Sequence, residues 1–199
     1  VAGLAALFLI TFVVRSCYIP SVSMIPTLTV HDLLLVDEMA YRFDKPHHGD
    51  IAVFVPPMDS NGNAFIKRVI GVPGDTIRIT DGVVYRNGKA LLEAYENQPP
   101  RYDLAIKNYG IYVDGQPLDP RLADVPPKQF WQAPDRVPDG FYVVLGDNRN
   151  YSDDSHVWGF AQRSGAFAAG PMANKKTRAA FIGRAFLILW PLQRIQVLR

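Results

Sequence analysis

Beyond Arg15 the apolar runs are only a few residues long, and most are bounded by Gly, Pro or Asn. The chain carries 16 prolines and 15 glycines. Such punctuation leaves no room for a helical bundle and suits short strands joined by tight turns. GDIAVFVPP (49–57) reads as a strand stopped by two prolines. AFIKRVIGVPGDTIRIT (64–80) reads as strand, Gly-Pro-Gly turn, strand. DGVVYRNGKAL (81–91) has the alternation of a hairpin, with Asn87-Gly88 as its type I′ turn. GIYVDG (110–115), FYVVLGDN (141–148) and FIGRAFLILWP (181–191) supply further strands. The expected fold is mainly β: a barrel-like core of short antiparallel strands, residues 16–81 and 139–199, with an inserted β subdomain at 82–138.

The first 14 residues, VAGLAALFLITFVV, carry no charge. As a helix they would reach only ~21 Å, and a full span needs roughly 20 apolar residues. A cleaved secretory signal, a buried core helix and the end of a transmembrane helix compete for this stretch. A signal would need a basic leader and a small-x-small cleavage site, and neither is present. The expectation is a short or truncated transmembrane helix over 1–15, with Arg15 at the membrane exit.

Composition excludes several function classes. The length of 199 residues fits one domain with an insertion, and 48% hydrophobic residues can form a core. A net charge of +2 gives no electrostatic footprint for nucleic acid. Cys17 is the single cysteine, so no internal disulfide can form. His31, His47, His48 and His156 lack zinc-ligand spacing, and no metal or cofactor is expected.

Two polar features stand out against this background. In IPSVSMIPTL (19–28), Pro20 and Pro26 bias their neighbours toward extended backbone. Ser21 and Ser23 would then face the same side. A serine hydroxyl is a weak nucleophile and needs a base; without one, this segment is simply a Ser/Pro-rich loop. Histidine is the usual base, but no G-x-S-x-G turn accompanies it. Lys67 lies in FIKRVI, a run otherwise suited to a buried strand. Alternation puts Lys67 on one face and Arg68 on the other, so one cation can reach water while the other points inward. A free lysine, with a pKa of ~10.4, cannot accept a proton at neutral pH. Burial lowers that value and makes the amine a base. A surface lysine covering apolar area with its stem is the alternative.

GDNRNYSDDSHVWG (146–159) follows the strongest strand. It does not fit a calcium loop, since Ser152 and Trp158 stand where Gly and Glu are required. Ser152 could orient a lysine base through its hydroxyl. Asp154 could pair with Arg149 or Arg68. A satisfied polar turn is the plainer reading for Asp147 and Asn148.

Taken in order, PSVSMIPTL (20–28), GDIAVF (49–54), IKRVIGVPGD (66–75) and GDNRNYSDDSHVWGF (146–160) closely resemble the motifs of the bacterial type I signal peptidases, membrane-bound Ser/Lys proteases that remove signal peptides from exported proteins. The resemblance implies that Ser23 is the nucleophile and Lys67 the general base. Ser21 and the Ser23 amide would form the oxyanion hole. Ser152, Asp154 and Arg68 would support the dyad, and Met24, Ile51 and Val53 would shape small substrate pockets. It also implies cleavage after Ala-x-Ala sites of signal-bearing precursors. The enzyme would be a monomer on membrane lipid, with its catalytic part on the outer face of the bacterial cytoplasmic membrane. The sequence departs from the family at three places. Asn150 and Tyr151 stand where Asp and Asn are usual, and His156 stands where Arg is usual, so an ion pair from that Arg is expected to be missing.

Overall fold

A computed structural model of the protein describes residues 14–56, 63–119, 126–163 and 181–198. Its described strands form two antiparallel sheets. The larger sheet has the order β1-β2-β13-β3-β4-β11-β12. Its strands are β1 (Val14–Tyr18), β2 (Leu33–Asp37), β3 (Ile51–Phe54), β4 (Phe65–Gly71), β11 (Phe141–Leu145), β12 (Ala161–Gln162) and β13 (Phe181–Trp190), and β14 (Gln196–Val197) pairs off β13. The order is open at β1 and β12, so the barrel-like expectation is met as a half-barrel. Register shifts along β13 and between Val143 and Val144 on β11 bend it, as bulges do.

The smaller sheet has the order β10-β9-β8-β5-β6-β7. It comprises β5 (Ile77–Thr80), β6 (Val83–Arg86), β7 (Lys89–Ala90), β8 (Leu104–Lys107), β9 (Gly110–Val113) and β10 (Gln116–Pro117). It begins at Ile77, inside the stretch expected to belong to the core. The cause is a register that pairs β5 with β6 and β8 and not with β4. The Asn87-Gly88 turn carries its expected dipeptide in left-handed backbone, at φ 52° and 74°, and Asp114-Gly115 turns in the same way at φ 50° and 79°.

The sheets share one apolar core. Ile70, Val143, Leu145 and Phe160 of the larger sheet region pack with Ile77, Ile79, Val84 and Leu104 of the smaller. A second cluster of Met24, Leu28, Leu34, Val36, Ile51 and Ile188 lies behind the segment joining β1 and β2. Two one-turn helices complete the elements used below, α1 (Ala40–Phe43) and α2 (Ser155–Trp158).

The N-terminal expectation needs correction at its edge. Val14 and Arg15 are strand, with Val14 opposite Asp37 and Arg15 opposite Val36. Their pairing with β2 places them in the sheet and leaves no helix there. The rest of the expected membrane helix lies outside the described residues. Among the described residues no helix is long and apolar enough to cross a membrane.

Candidate active site

The β1–β2 connection is a plugged loop held from three sides. Ile19 N donates to Asp32 O at 3.0 Å, and His31 N returns to Ile19 O at 2.9 Å, which closes the base of the loop. Met24 and Leu28, both fully buried, fix it to the core. Arg194 then clamps it from the C-terminal end of the chain, donating to both oxygens of Asp32 (2.8 and 2.9 Å) and to Thr27 O (3.1 Å). Residues 21–26 are bent and not extended, with a turn from Val22 O to Ile25 N. Even so, Ser21 Oγ and Ser23 Oγ lie 3.3 Å apart.

β4 runs between β3 and β11, with Lys67 opposite Ala52 and Arg68 opposite Leu145. Lys67 Nζ lies 2.8 Å from Ser23 Oγ. Ser23 is 6% exposed and Lys67 4%. Burial holds the Lys67 amine below its ordinary pKa, while the charges of Asp154, Asp153 and Asp147 partly oppose that fall.

Arg68 corrects the expectation that one of the two cations would reach water. It is buried on the opposite face, gripping both Asp147 oxygens at 2.8 Å, donating to Gly49 O at 3.0 Å and stacking 3.8 Å over the Tyr95 ring. A bidentate carboxylate and an aromatic face replace the lost hydration.

The 146–156 loop reaches Ser23 through the backbone and the side chain of Asn148. Asn148 N donates to Ser23 O and Asn148 Nδ2 to Val22 O, both at 3.0 Å. A Cβ at Gly146 would collide with Ser23 O and with the Ser152 hydroxyl, so only glycine permits this approach. Sequence reasoning missed both roles; the close approach of two distant segments leaves no local signal. Ser152 Oγ is buried against Gly146 and makes no hydrogen bond with a described group.

Asp154 pairs with neither Arg149 nor Arg68. It caps α2, accepts from Gly146 N at 2.8 Å and contacts His156 Nδ1 at 2.7 Å. The place left by the missing arginine is therefore taken by an imidazole. Arg149 turns away to Glu93, at 2.7 and 2.9 Å.

Ser23 and Lys67 open onto a cleft of about 500 Å³ lined by Ser21, Val22, Phe65, Tyr151 and Asp153 among others. Met24, Ile51 and Val53, expected to shape pockets, lie in the apolar cluster behind it and are not among its lining residues.

An alcohol touching a desolvated amine on an antiparallel β scaffold has the outline of a serine hydrolase that uses lysine as its base. Residues 1–190 match the family model described as signal peptidase, peptidase S26. The chain is 38% identical to a probable signal peptidase I-2 of Synechocystis sp., over 99% of this chain and 72% of that protein. It is also 38% identical to a signal peptidase I of Leptolyngbya laminosa, over 96% of this chain and 75% of that one. A crystal structure of a signal peptidase I from Enterococcus faecalis V583 matches with 31% identity and a TM-score of 0.39, over 60% of this chain and 91% of that one. The chain belongs to the signal peptidase family, peptidase S26. It is a serine endopeptidase of the signal peptidase I type.

Proposed function

We propose that this chain removes N-terminal signal peptides from exported precursors, with Ser23 as nucleophile and Lys67 as general base. The observation that carries the reading is the 2.8 Å contact between Lys67 Nζ and Ser23 Oγ, both buried. Once the amine is neutral the contact reverses: the Ser23 hydroxyl donates to the nitrogen lone pair. Lys67 takes that proton as Oγ attacks the scissile carbonyl, then passes it to the leaving amine. Water, relieved of a proton by Lys67, hydrolyses the acyl-enzyme.

The oxyanion meets the Ser23 N–H and the Ser21 hydroxyl, which lies beside Ser23 Oγ. Asn148 bonds to the carbonyls of residues 22 and 23 and so orients the peptide group bearing that N–H. Ser152 has a buried hydroxyl with unspent capacity, which suits it to receive a bond from the Lys67 ammonium in mid-cycle. The same reading extends to cleavage after small residues, as in Ala-x-Ala. A tether in the apolar 1–13 stretch would hold the monomer on the outer face of the cytoplasmic membrane, beside membrane-inserted substrates.

Ser23→Ala and Lys67→Ala should each abolish cleavage of a signal-bearing precursor while circular dichroism stays native. Ser21→Ala should slow kcat by ~100- to 1,000-fold. Cleavage at the normal rate by either dyad variant would refute the reading.

A further inference from the structure

Residues 151–154 alternate in burial: Tyr151 and Asp153 are exposed, while Ser152 and Asp154 are buried. Both outward side chains line the cleft that holds Ser23 and Lys67. Tyr151, 64% exposed, presents a large ring to the rim. Asp153 makes no ion pair with a described residue. Lys67 and Asp153 are the titratable charges of this lining, and Lys67 is committed to Ser23. The cleft lining therefore carries an aromatic ring and a carboxylate that has no ion-pair partner among the described residues.

That pair has a definite complement. A lysine or arginine side chain lays its aliphatic stem and cation on an aromatic ring and its charge against a carboxylate. We propose that Tyr151 and Asp153 form a substrate subsite for a basic side chain close to the scissile bond, making the enzyme selective for precursors with Lys or Arg at one flanking position. The proposal rests on the protease reading of the same cleft. The negative potential of Asp153 already reaches Lys67, so the carboxylate acts into the cleft and not only outward to solvent.

The test is a peptide series built on one Ala-x-Ala substrate, placing lysine or its uncharged isostere norleucine at each position flanking the cut. At one position lysine should exceed norleucine in kcat/KM by roughly 3- to 10-fold, and the ratio should shrink as salt is raised. Asp153→Asn should bring that ratio close to one, and Tyr151→Leu should reduce it. Equal rates for lysine and norleucine at every position, or a preference that persists in Asp153→Asn, would overturn the subsite while leaving the protease reading intact. Failure of the wild-type enzyme to cut the neutral parent peptide would remove both.

Discussion

Lys67 bears an electrostatic conflict. Its burial penalises the ammonium, and no carboxylate among the described residues bonds directly to it, although Asp154, Asp153 and Asp147 restore part of the lost favour at longer range. Two consequences separate a depressed amine from an ordinary one. Activity should rise with pH along a single limb whose midpoint lies below the ordinary 10.5, and kcat/KM against pH measures it. Stability should move the same way. With the folded pKa below the unfolded one, the unfolded chain binds more protons between the two values, so stability rises with pH across that window. Below the window the desolvation cost is fully present; above 10.5 it is gone. Lys67→Met lacks the titration. Wild type should therefore gain stability relative to Lys67→Met as pH climbs from neutral toward 10, read from urea midpoints. A constant difference between the two would mean that the amine keeps its ordinary pKa.

At the scale of elements, the site is made where the β1–β2 loop meets the strand end at 145–148. Gly146 is the hinge point of that meeting, because any Cβ there would overlap the Ser23 carbonyl and the Ser152 hydroxyl. Gly146→Ala should cost about 1–3 kcal/mol in urea unfolding, as overpacked cores do, and should lower kcat by displacing Ser23. Gly110→Ala is the matched control: it lies in β9 with open space around it and should stay within about 0.5 kcal/mol of wild type. How much of this is legible in the sequence depends on range. The hairpin at Asn87-Gly88 and the strands at 51–54, 65–71, 141–145 and 181–190 were legible, because turn dipeptides and apolar runs act locally. β8 was missed: its buried Leu104 and Ile106 are too few to stand out from a polar stretch. The meeting of Ser23 with Lys67 has no local signal, and only the ordered motif set points to it, since nothing local tells a serine that an amine from 44 residues away will reach it. Asp154 offered itself in sequence as a partner for Arg149 or Arg68, and neither pairing forms for the same reason: the fold and not the sequence neighbourhood brings Glu93 to Arg149.

Over the whole molecule, the smaller sheet is wired into the site by the segment between β7 and β8. Asn97 bonds to the Asp147 carbonyl (2.9 Å) and to Asn148 Oδ1 (3.3 Å), Tyr95 lies under Arg68, and Tyr102 stacks on His156 at 4.2 Å. Arg101 N and the Pro99 carbonyl hold both ends of the Asn150 amide. The strongest tie is Arg149, fully buried, bound by both oxygens of Glu93 and reached by Glu96 at 3.4 Å. A guanidinium sealed from water tolerates its place only while that charge is answered. Glu93→Gln should therefore cost about 3 kcal/mol or somewhat less, since Glu96 partly substitutes, and should reduce cleavage through the 146–150 loop. Arg149→Met/Glu93→Gln removes both charges and should be more stable than the sum of the single losses implies, with a coupling of about 1–3 kcal/mol from denaturation of the four proteins. Additive losses would mean that the ion pair does not join the sheet to the loop. In that case the smaller sheet would support the active site through apolar packing alone.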